Sequence, residues 1–401
     1  MRPWLALTVA VGIASGSEGD WCWSIPADAG VVVNSPESPW LQQLRLGAYA
    51  HHHSAFVDGE AAGSDFWYGR GSDWRRMRAT VQAWALGCLG FTVHANVVED
   101  EGRKGGGVEF DYQGLFLAWA ELDLKKLVPA VPLDTWSVGY GKRKLKELNE
   151  EMDTSINAIL TVERSSFAAQ LVPFRQATGT TGIWTSGSLG RHRFLVGLYT
   201  TDASREFGNW TDGTLLVGGW SMDFSKELGL DEALFTIGGG VQDVDGRDEV
   251  YSPWEWVITP WARLRGECWA LRVSAAFGEN EGPSNTTGGA FYGFTVMPSY
   301  QLVKDRLEAV MRYQFVGSEA PRGVQLTSRY VREAGLSANE GIPLLAAGRG
   351  DELQSLYGGL VWTICPKRLT VLAGLEWERL ESRDREIYSG LTGWFSTRVI
   401  F

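Results

Sequence analysis

The residues of this chain best able to act on a solute are its arginines and lysines. Arg45, Arg76, Arg78, Arg263, Arg272, Arg312 and Arg398 fall, by strand parity, on the polar side of alternating segments, together with the acids Glu308, Glu376 and Glu378. A guanidinium keeps its charge and presents a rigid fork of donors that fits an oxyanion. Rings of charge at the narrow point of a pore, between low-dielectric walls, select ions by sign. The same arginines could equally pair with acids on neighbouring strands and loops and hold the shape of a wall; the residues alone leave both readings open. Arg75 has the opposite parity and is expected toward a bilayer, near its interface. The stretch Gly141 to Asn157 holds Lys142, Arg143, Lys144 and Lys146, then Glu147, Glu150, Glu151 and Asp153, and reads as the lining of a constriction or as a solvated loop. Glu163 and Arg164 are expected on the wall of the strand that follows it.

Other chemistry is thin. His51 and His53 share a face of an extended chain, yet the run His51-His52-His53 reads as a polar loop edge rather than a metal site. Asp243, Asp245, Asp248 and Glu249 lack the spacing and terminal Glu of a calcium loop. The chain has no Gly-x-Ser-x-Gly elbow, no His-Glu-x-x-His and no phosphate loop, so neither an enzyme nor a cofactor or metal is expected. A formal charge of −11 argues against nucleic acid as a partner.

The elements that must position these charges show in the alternation. Met77, Ala79, Val81, Ala83 and Ala85 alternate with Arg76, Arg78, Thr80, Gln82 and Trp84; beyond a turn near Gly87, Leu89, Phe91, Val93, Ala95 and Val97 alternate with Thr92, His94 and Asn96. The pattern returns at Trp269 to Phe277, at Leu307 to Phe315 and at Leu369 to Trp377, and it ends with Phe395, Thr397, Val399 and Phe401 on one apolar face. Charges stay on the opposite face, as a lipid-facing wall demands, since Lys or Arg at mid-bilayer costs roughly 2–4 kcal/mol. Short turns at Gly87, 265–267 and 366–367 alternate with long polar stretches at 99–107, 243–252, 279–289 and 317–351. With 19 Trp, 12 Tyr, 17 Phe and 49 Gly, this implies an all-β fold, a closed antiparallel transmembrane β-barrel, of about 16 strands by the resemblance below, with short periplasmic turns and long extracellular loops.

A run of apolar residues from Trp4 to Ala14, after Arg2 and before Ser15-Gly16, reads as an export signal over residues 1–16. Residues 17–40 then form an N-terminal extension of open role, and 41–401 the barrel. Cys22, Cys88, Cys268 and Cys365 allow three pairings but read as small apolar residues at separate places. Trp254, Trp256, Trp269, Trp377 and Trp394 are expected in interfacial girdles, while inward parity for Trp84, Trp261 and Trp394 keeps a sugar-stacking platform open. An exported, soluble, all-β carbohydrate-binding protein is the alternative reading. It explains the aromatics but neither the terminal phenylalanine nor the alternation of connection lengths.

Several segments, in order, resemble the phosphate-selective porin O and P family. They are the opening strand with Arg45, the start Arg75-Arg76-Met77-Arg78 of the second strand, Val138-Gly139-Tyr140-Gly141-Lys142, the element Leu160-Thr161-Val162-Glu163-Arg164-Ser165, and the last two hairpins from Tyr357 to Phe401. The resemblance covers most of residues 40–401; it departs in shorter loops, abundant Trp and an acidic total charge. It implies a bacterial outer-membrane porin for small hydrophilic solutes or anions, a homotrimer in outer-membrane lipid of about sixteen strands per chain, and a third loop folded inward. It also implies an arginine ladder carried here by Arg45, Arg76 and Arg78. The full expected pore lining is Arg45, Arg76, Arg78, Lys142, Arg164, Arg272, Arg312 and Arg398.

Overall fold

Period-two alternation leaves a strand one apolar and one polar face, and a sheet of such strands satisfies its backbone in lipid only by closing on itself. A computed structural model shows this outcome for residues 30–61, 64–101, 108–172, 179–202, 204–243, 254–326, 328, 330–331 and 348–401. The wall consists of β1 (Leu41–Ala61), β2 (Ser64–Ala85), β3 (Leu89–Glu101), β4 (Leu115–Asp123), β5 (Thr135–Arg143), β6 (Thr180–Leu189), β7 (His192–Thr200) and β8 (Thr214–Asp223). It continues with β9 (Glu232–Asp243), β10 (Trp254–Arg265), β11 (Trp269–Asn280), β12 (Gly289–Val303), β13 (Leu307–Ser318), β14 (Glu352–Cys365), β15 (Leu369–Ser382) and β16 (Arg385–Ile400). Each strand pairs antiparallel with its chain neighbour, and β16 returns to β1 from Ile400↔Tyr49 to Tyr388↔Ala61, closing a sixteen-stranded barrel.

Where β16 ends, a short strand at Val31–Asn34 takes over the exposed edge of β1, pairing Val31 with Arg45. The Ala48 amide bonds to the Phe401 carbonyl and the Leu46 amide to the Gly30 carbonyl. Gly30 has φ +91, and a side chain there would collide with the Leu46 carbonyl, so the crossing needs glycine. Residues 30–40 thus begin the wall; 17–29, and the whole export signal, lie outside the described residues.

Both faces follow the alternation. Met311, Phe277, Leu375 and Phe395 are about half exposed on the outside, whereas their chain neighbours Arg312, Glu376 and Ser396 are buried within. An outward belt of large apolar side chains with charges turned inward is a surface for lipid rather than water.

Two expectations about facing are overturned, each by a β-bulge. In β2, His51 pairs with Arg76 and His52 with Trp74, leaving Arg75 as an extra residue. The bulge turns Arg75 inward beside Arg76, away from the bilayer, while Trp74 packs on His52 at 5.2 Å. In β10, Trp254 pairs with Asn280 but Trp256 with Glu279, so Trp254 points inward, fully buried, instead of joining a girdle. Trp394 is likewise buried in the barrel, on the lumen face. His51 to His53 lie within β1, not at a loop edge.

Candidate pore and constriction

The chain between β5 and β6 is the third connection at the long-loop end, and its described residues 144–172, instead of standing in solvent, fold into the barrel. The bonds that hold it come from the arginines of the wall. Arg312 donates to Glu151 (3.0 Å), to the Thr161 hydroxyl (3.1 Å) and to the Glu163 carbonyl (3.0 Å), and also to Glu376 of β15 (2.9 Å). Arg398 donates to the carbonyls of Ile159 (2.6 Å), Thr161 (2.6 Å) and Val162 (3.2 Å). Arg263 binds Glu150 and Asp153, and Arg272 approaches Glu150 at 3.2 Å. From β2, Arg75 reaches Glu163 at 2.7 Å and Arg76 reaches it at 3.6 Å. On β1, His53 faces Glu163 at 3.3 Å and His51 bonds Asn157 at 2.7 Å.

Glu163 is therefore the acidic hub of the loop. Burial opposes its ionisation, but Arg75, His53 and Arg76 outweigh this and hold its carboxyl well below the ordinary value. Glu163 and Arg164 were expected on the wall of the following strand; the structure keeps residues 160–165 in the loop, with β6 starting only at Thr180. Their alternation resembles a strand's, but their carbonyls are bonded by Arg398 and Arg312 across the lumen instead of by a neighbouring strand. Arg164 donates back to Glu151 and Thr154 of the same loop.

Above the loop, described residues of the connection between β13 and β14 pack against the wall and the loop. Tyr330 donates to Asp73 (2.8 Å) and packs on Trp394, and the Gly323 carbonyl accepts from Gln170 and Asn280. Its buried Val324 and Leu326 join the side of the barrel already occupied by the helix Ser166–Leu171.

The pore lining expected from sequence therefore divides. Arg312, Arg398, Arg272 and Arg76 point inward but are bound to the loop, and Arg164 is part of it. Arg78 braces the wall, donating to Asn96 (2.5 Å) and Tyr49 (2.8 Å) with Phe116 beneath its guanidinium. Arg45 is exposed at the short-turn mouth, opposite Gln82. Lys142 is not on the lumen side: it pairs with Ala118, itself opposite the lipid-facing Val93, and its ammonium is held by the carbonyls of Ser204 (2.7 Å) and Glu206 (3.1 Å). Asp245, Asp248 and Glu249 lie outside the described residues. Among those described, no cluster of His, Cys, Asp and Glu is arranged to hold a metal ion.

The loop's bonds run to β1, β2, β10, β11, β13 and β16. On the opposite side, between its first turn and β4, β6 and β7, lies a cavity of about 260 Å³ whose walls include Trp119, Glu121, Trp184, Lys144, Lys146 and Glu147. Lys144 and Lys146 belong to the dipolar run visible in sequence. The wall residues Trp119, Glu121 and Trp184 were not singled out there; inward parity along Leu115 to Asp123 was the signal that could have found Trp119 and Glu121. Burial first, then Arg164, Lys146 and Arg78, push the Lys144 ammonium well below its ordinary pKa, with Asp153 opposing them.

Three solved structures match nearly the whole barrel. OprB of Pseudomonas putida aligns with a TM-score of 0.55 at 10% identity over 89% of this chain and 94% of its own. An anion-selective porin from Comamonas acidovorans gives 0.53 at 12% over 89% and 99%, and the outer-membrane channel DcaP of Acinetobacter baumannii 0.51 at 10% over 90% and 97%. This chain has the porin fold. At such identities the likeness concerns architecture: sixteen strands closed antiparallel. No family profile matches the chain, and no curated protein matches it in sequence.

Proposed function

We propose that the protein is a bacterial outer-membrane porin, a homotrimer through which small hydrophilic solutes diffuse passively, with a preference for anions. The observation that carries this reading is the division of the lumen: one side is filled by the inward loop, and the other keeps a cavity edged by Lys144 and Lys146. A charged constriction in a low-dielectric frame sorts ions by sign. Of the acids near it, Glu147 is paired with Arg143 at 2.8 Å and Glu121 accepts from the Trp184 indole at 3.2 Å, and the cations Arg143, Lys144 and Lys146 outnumber these two carboxylates. The reading is one of general anion preference rather than a phosphate ladder, because of the three ladder arginines Arg76 is paired with Glu163 of the loop, Arg78 is bonded to Asn96 and Tyr49 of the wall, and Arg45 lies apart at the short-turn mouth. The trimer rests on the family resemblance of the sequence.

The test is the reversal potential of the purified protein in a planar bilayer under a salt gradient, beside Lys144→Gln/Lys146→Gln. Anion preference that weakens in the double variant supports the proposal. Cation preference in the wild type would discard the anion reading, and a protein that forms no channel would discard the porin.

A further inference from the structure

The cavity beside the inward loop is not merely basic. Leu117 and Leu195 line it together with the two tryptophans, so it joins an apolar body to a cationic edge. Trp184 is fixed: it lies over Gly139, where any side chain would collide with its ring, stacks on Tyr199 at 6.4 Å and 12°, donates to Glu121, and has the Arg143 guanidinium 5.1 Å from its ring. Trp119 is half-buried and stacks on His94 at 6.4 Å, with a buried ring nitrogen of His94 left without a hydrogen-bond partner. Such rings cost little entropy when they meet a ligand, because they are already held.

We propose that this cavity binds a small planar organic monocarboxylate, of the benzoate type, during its passage; the inference rests on the porin reading above. A single ring suits a cavity of about 260 Å³, below the roughly 300–1,000 Å³ of sites for drug-sized ligands. Its ring packs against Leu117, Leu195 and Trp119, and its carboxylate meets Lys146, which is exposed at the loop's first turn, and Lys144, whose ammonium donates to the Met152 carbonyl at 3.2 Å. A carboxylate there offsets the repulsion of Lys144 by Arg164, Lys146 and Arg78, which Asp153 opposes only in part. An inorganic anion uses only the cationic edge. A sugar needs paired donors and acceptors in place of leucines.

The experiment is single-channel recording with benzoate, acetate or glucose added to the bath. Benzoate should interrupt the current at concentrations about tenfold below acetate, and Trp119→Ala should raise the benzoate requirement about tenfold while leaving acetate unchanged. Lys146→Gln should weaken both acids. Equal potency of benzoate and acetate, an unchanged benzoate block in Trp119→Ala, or a stronger block by glucose each overturns this inference while leaving a conducting porin. A protein that conducts nothing removes the porin reading and this inference with it.

Discussion

Replacing Arg312 with alanine removes one guanidinium that joins β13 and β15 of the wall to the inward loop. Four hydrogen bonds go at once, to Glu151, Thr161, the Glu163 carbonyl and Glu376. Two buried carboxylates then lose their cation, and breaking a buried pair from one side costs about 3–5 kcal/mol. The lower figure applies here, because Glu376 keeps the Ser355 hydroxyl at 2.8 Å and Glu151 keeps the Ser165 amide at 2.9 Å. At 1.4 kcal/mol per factor of ten, about 3 kcal/mol raises the population of the detached loop roughly a hundredfold. The barrel itself keeps every ladder bond, so the effect is read in the pore. Arg312→Ala should conduct with more current noise and larger excursions than wild type, and Arg312→Lys, which restores a charge but not the fork, should fall between them. Wild-type noise and conductance in Arg312→Ala would refute the view that this arginine is a structural brace.

Other consequences are as direct. Met311→Arg places a charge on the half-exposed outer face one residue from Arg312, and should destabilise the inserted barrel by roughly 2–4 kcal/mol at mid-bilayer, seen as earlier unfolding in denaturant. Gly139→Val forces Trp184 out of its seat and should cost about 1–3 kcal/mol by the same assay. Because Glu163 is held below its ordinary pKa, its contribution to loop attachment is full above about pH 5 and is lost as pH falls through the depressed value; channel noise should therefore rise only under acid conditions, and Glu163→Gln should show raised noise at neutral pH. Cysteine reagents should reach Lys142→Cys only from outside the barrel, beneath the 201–213 connection, and not through the lumen.

The wall was legible because alternation is a local property: every apolar residue two positions from another names its own face, from Met77 to Phe401. Facing failed where a single extra residue inverts the count. The bulges at Arg75 and Trp254 leave no mark in the local pattern, since the extra residue is defined by the partner strand. The inward arginines were placed correctly for Arg312 and Arg398, but their partners lie more than a hundred residues away in the loop, so lining and bracing could not be told apart. The loop's end was misread for a related reason: Glu163 and Arg164 were placed in the strand beyond it, yet the carbonyls of Thr161, Val162 and Glu163 serve arginines of the wall. The cavity escaped notice because Trp119, Trp184 and Lys146 meet only when β4, β6 and the loop are assembled.

The central claim is that solutes pass between the inward loop and the wall of β4, β6 and β7. In a background with the native cysteines replaced by serine, Ser186→Cys places a thiol in that wall, on the cavity, and Ser355→Cys places one in β14, fully buried where Glu376 and the Arg312 brace meet. A bulky thiol reagent applied during bilayer recording should close most of the current through Ser186→Cys and leave Ser355→Cys unchanged. Block of Ser355→Cys with Ser186→Cys unaffected would place the pathway on the other side of the loop and contradict the account.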